Sequence, residues 1–108
     1  MSSIWKFYDK DPKNHPLIED LVNYTSKEGQ ISETLARECN NRALDNVEEE
    51  LDAEYSQIQR SSYHDRSRVS DMIIDSFKGC VEPVIQSSKK AKKVNEYAYA
   101  AYKTILRV

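Results

Sequence analysis

The chain is short of the residues that punctuate a fold: two glycines, three prolines and two cysteines in 108 residues. A sheet protein of this length needs frequent turns, so such scarcity argues against strands. With so little glycine there is also no phosphate-cradling loop, which depends on backbone positions lacking a Cβ. No apolar run approaches the ~20 residues required to cross a bilayer. The opening Met-Ser-Ser-Ile-Trp-Lys has no signal-peptide pattern, so a cytoplasmic location is expected. Cys39 and Cys80 are far apart and match no metal-ligand spacing. Cys39 falls among apolar neighbours at helical spacing, which predicts a buried, reduced thiol.

What is present is period. Apolar residues recur at Ile31, Leu35, Cys39, Ala43 or Leu44, Val47, Leu51, Tyr55 and Ile58. Steps of three and four place them on one stripe of a helix over about 31–60. At ~1.5 Å per residue that rod is roughly 43 Å long, so other segments must lie along it. Shorter helices are expected at 16–27, 63–78 and 89–107, with a helical turn near 83–87. Pro16 and Pro83 suit first turns, Gly29 and Gly79 suit terminators, and Ser32 and Gln86-Ser87-Ser88 suit caps. In the last helix Ala91, Val94, Ala98, Ala101, Ile105 and Val108 form the stripe, flanked by Tyr97, Tyr102 and Leu106. The tyrosine hydroxyls are expected near water.

Residues 1–15 form an arm with the only Trp, Trp5, and one of two Phe, Phe7. Burying either contributes on the order of 2–3 kcal/mol, so the arm should pack on the bundle. The expected fold is an all-α, single-domain antiparallel bundle over 1–108, with about four main helices. An apolar fraction of 39% suffices for a modest core in a chain this size.

The net charge of −2 hides a division. Residues 1–27 balance at four bases and four acids, 28–54 carry two bases against nine acids, and 55–108 carry ten bases against five acids. No Lys or Arg occurs between Leu44 and Arg60. Asp45, Glu48, Glu49, Glu50, Asp52 and Glu54 therefore back the apolar stripe. Either the two charged halves pair internally, or the acidic face stays wet and meets a basic partner.

The chemistry of sites excludes more than it offers. His15 and His64 lack a nucleophile and an acid at recognisable spacing, so no enzyme is expected. The carboxylates have no Glu-x-x-His partner and no calcium loop, so neither metal nor cofactor is expected. Lys89, Lys90, Lys92 and Lys93 precede Tyr97, Tyr99 and Tyr102, a basic–aromatic pattern that can grip phosphates and stack bases. Residues 30–36 resemble the opening helix of a helix-turn-helix, although Asn40 stands where the turn glycine belongs. A pI near 5.7 opposes general nucleic-acid binding.

The favoured expectation is a protein-binding module of the inhibitor type. Acidic immunity proteins and antitoxins block basic nuclease toxins by presenting carboxylates that mimic phosphate. Here Asp45, Glu48, Glu49, Asp52 and Glu54 would supply charge, with Tyr55 or Tyr63 as an aromatic anchor. Nucleic-acid binding through Lys89, Lys90, Lys92 and Lys93, or self-association through a heptad-like last helix into a homodimer, are the alternatives.

Overall fold

The computed structural model describes Trp5, residues 11–55 and residues 66–108. Among the described residues there are four α-helices and no strand: α1 (Pro16–Gly29), α2 (Glu33–Tyr55), α3 (Arg66–Val81) and α4 (Ser88–Ile105). Short 3-10 turns stand at Pro12–Asn14 and Glu82–Val84. This is the all-α bundle that scarce glycine and helical period predict.

The helix starts follow local chemistry. The Nδ1 of His15 accepts the Leu17 N–H at 3.1 Å, and Pro16 fills the first turn of α1. Ser32 Oγ accepts the Leu35 N–H at 3.0 Å at the head of α2. Ser87 Oγ accepts the Lys90 N–H at 3.3 Å at the head of α4. Each satisfies a donor that the first turn leaves without a helical partner.

The glycines act differently from expectation. Gln30, not Gly29, adopts the left-handed conformation that ends α1, with φ of 56°. Gly29 lies close under Ile85: a Cβ there would sit 3.0 Å from Ile85 Cδ1, so that side chain would have to give by a few tenths of an ångström. Nor does Gly79 end α3, which continues to Val81. A Cβ at Gly79 would touch nothing, and one helical glycine costs only about 1 kcal/mol against alanine.

The helices form a closed ring in which α1 packs on α2 and α4, and α3 packs on α2 and α4. Neighbours run antiparallel. The Tyr24 ring stacks on Tyr97 at 4.2 Å, Lys93 meets Glu28 at 3.7 Å, and Lys103 meets Asp71 at 2.9 Å. Only three residues join α1 to α2 and six join α3 to α4, which holds each of those pairs antiparallel. α2 spans the bundle at about 35 Å for its 23 residues, against a longest molecular dimension of 42 Å. It passes through Asn40 without the break that a helix-turn-helix needs. Residues 56–60 of the expected long helix and 63–65 of the next lie outside the described residues.

One core joins all four helices, from Leu21 and Val22 through Leu44, Val47 and Leu51 to Ile73, Phe77, Val94 and Leu106. Trp5 is 5% exposed and belongs to it, as expected of the arm. The end of α4 corrects the predicted stripe. Tyr102 and Leu106 are buried, Ile105 is half-buried and Val108 is exposed. Tyr102 and Ile105 are three residues apart and share a flank, so period alone does not choose between them. The choice follows from a polar group inside. Tyr102 Oη donates to the buried Asn40 Oδ1 at 2.6 Å across the core, instead of reaching for water.

The cysteines give the second correction. Cys39 is fully buried, as its place on the stripe predicts, but it is not a free thiol. It forms a disulfide with Cys80, tying α2 to α3. α2 and α3 are sequence neighbours, so antiparallel packing returns the end of α3 to the start of α2. Their Cα atoms stand 5.6 Å apart there, within bridging distance.

Candidate protein-binding face

The acidic half of α2 is built on a simple division of its turns. Ala43, Leu44, Val47 and Leu51 face the core, so the residues between them must face outward. Asp45, Glu49 and Glu50 are exposed, and Glu48 and Asp52 are half-buried. Asp45, Glu48, Glu49 and Asp52 follow steps of three, one and three, so they form one continuous strip. Glu54 lies in the last turn of α2, as does Tyr55, and the side chains of both fall outside the described residues. Tyr63 lies outside them as well, so the proposed aromatic anchors have no described geometry.

Lys13, from the 3-10 turn ahead of α1, reaches the upper end of this strip. Its ammonium stands 2.5 Å from Asp45 and 3.6 Å from Glu48. Hydrogen bonding to Asp45 raises the Lys13 pKa above its ordinary 10.5, against the opposing effect of burial. The contact was not legible in the sequence, because 32 positions separate Lys13 from Asp45. It leaves Glu49 and Glu50 in water.

The lysine cluster does not neutralise the strip. Lys93 pairs with Glu28 near the end of α1, whereas Lys13 meets Asp45 before α1 begins. The 14 residues of α1 separate those two places by about 20 Å. Elsewhere on the surface, Arg37 grips Glu19 through two hydrogen bonds of 2.7 and 3.0 Å and lowers the Glu19 pKa.

Comparison of the chain with protein-family models, curated proteins and solved structures returns no match. Function is therefore read from these surfaces alone.

The basic–aromatic pattern loses most of its aromatic part on folding. Tyr97 is half-buried with its ring occupied by Tyr24, and Tyr102 is buried. Tyr99 alone of the three is exposed, with the Lys103 ammonium 5.2 Å from its ring centre. Lys89, Lys92 and Lys93 are exposed and Lys90 is half-buried. Yet Lys92 and Lys78 share a groove of about 580 Å³ with Asp75, Glu82 and Glu96. That groove therefore holds two bases against three acids. Among the described residues no group of three His, Cys, Asp or Glu is arranged to hold a metal ion. His15 serves α1 as a cap, and His64 lies outside the described residues.

Proposed function

We propose that this protein is a small binding module that docks onto a basic protein surface through the outer face of α2, as an inhibitor does. The observation that supports this reading is the exposure of Glu49 and Glu50 beside Asp45, with Lys93 of the lysine cluster paired to Glu28 at the other end of α1. A continuous carboxylate strip on a rigid helix attracts a cationic site over a Debye length and excludes its anionic substrate once docked.

The Cys39–Cys80 bond adds a compartment to the proposal. Such bonds persist where the surroundings are oxidising, so the module works there and not in the reducing cytoplasm. No described helix is long and apolar enough to cross a membrane.

The test compares the native chain with a Glu49→Lys, Glu50→Lys variant in cross-linking capture from the source cells, followed by association kinetics with the captured protein. The partner should be basic, and its on-rate should fall about tenfold or more at low salt in the variant. Stability should change by less than about 0.5 kcal/mol, because both sites are exposed. An unchanged on-rate would remove the acidic face from the interface.

A further inference from the structure

We propose that Cys80 is a site of reversible S-thiolation, opened by a small thiol that carries carboxylates. The two sulfurs of the Cys39–Cys80 bond are not equivalent. Cys39 is 0% exposed, sealed between α2 and α3, whereas Cys80 near the end of α3 is half-buried. An incoming nucleophile therefore meets Cys80 first. Arg42, one turn after Cys39 on the same helix, places its Nη1 3.9 Å from Cys80 Sγ. Arg42 is exposed and forms no ion pair among the described residues. Its charge is available to an anion arriving at that sulfur.

The exchange is balanced without an outside oxidant or reductant. The thiolate of the small molecule attacks Cys80 Sγ and forms a new S–S bond there. The Cys39–Cys80 bond breaks, its electron pair leaves with Cys39 Sγ, and Cys39 takes a proton from water. The reverse step is attack by Cys39 thiolate on Cys80 Sγ, which expels the small thiol and restores the cross-link. Arg42 favours the anionic nucleophile and the carboxylates that accompany it. The attackable sulfur is thus selected by burial, and the class of thiol by one guanidinium.

The experiment treats the intact oxidised protein with glutathione, and separately with cysteamine, quenches in acid and maps adducts by peptide mass spectrometry. Glutathione should appear on the Cys80 peptide, with Cys39 recovered as a free thiol. Normalised to a model disulfide in solution, the glutathione-to-cysteamine rate ratio should fall about fivefold in Arg42→Gln, because both attack as thiolates and their remaining charges differ by two units at ~8 Å in water. Raising the salt concentration on the native protein should lower the same ratio, so the prediction does not hang on one variant. Adducts divided equally between Cys39 and Cys80, no reaction short of global unfolding, or a ratio indifferent to both Arg42 and salt would each overturn the proposal.

Discussion

The two halves of α2 are one continuous helix held in two different ways. Its first half is anchored by a covalent bond at Cys39, by the buried hydrogen bond between Asn40 and Tyr102, and by the Arg37–Glu19 pair. Its second half is held by the burial of Val47 and Leu51 and meets Lys13 on its wet side. The difference teaches that anchoring and exposure have been separated along one rod. A disulfide and a buried hydrogen bond hold the end that carries no candidate interface, whereas the end that presents carboxylates rests on apolar burial together with surface contacts such as Lys13–Asp45. Glu49 and Glu50 can then stay in water, because the register and orientation of the helix are set elsewhere.

Breaking the covalent anchor should give the largest effect. Reducing the disulfide, or replacing it in Cys39→Ser, Cys80→Ser, should cost about 4 kcal/mol in urea unfolding for a loop closed over 41 residues. In the oxidised protein, hydrogen exchange should be slower in 36–44 than in 47–53, and reduction should narrow that gap. Equal midpoints for the oxidised and reduced chains, or two free thiols titrated in the native protein, would contradict the contrast.

Next comes the polar anchor. Tyr102→Phe removes the hydroxyl from Asn40, which is 0% exposed, and should cost about 1–3 kcal/mol. Burial also raises the Tyr102 pKa far above its ordinary 10.0. The folded state therefore holds the phenol proton where the unfolded chain releases it. That contribution is complete below pH 10.0 and is lost as pH rises above it. Native Tyr102 should stay un-ionised in an ultraviolet titration until the bundle unfolds.

The smallest effect belongs to the acidic half. Lys13→Ala should cost less than about 1 kcal/mol, because both partners of the Lys13–Asp45 pair are partly in water and screened. The Lys13 pKa is raised, so its contribution is whole below the ordinary 10.5 and fades only as pH climbs through the higher folded value. The same substitution should speed association with a basic partner, since it uncovers Asp45 and Glu48. A loss approaching that of Tyr102→Phe would mean that the strip is structural.

Much of this molecule was written locally. Period determined that the chain is helical and which residues of α2 face the core, whereas the burial of Trp5 was expected from its apolar bulk. Ser32 and Ser87 were readable as caps because a cap is a bond between near neighbours. The acidic strip was readable because its charges share one helix. Tertiary structure decided whatever depended on distance. Cys39 meets Cys80 only once α3 folds back along α2, so spacing could not separate a thiol from a disulfide. Gly29 lies against Ile85, 56 residues later, so a Cβ there would press on that side chain, a contact that no local pattern announces. Tyr102 turned inward because Asn40 waited across the core, where a helical period counts both flanks as equal. Short-range geometry is encoded by adjacent residues, whereas pairing between remote ones exists only after the backbone has brought them together.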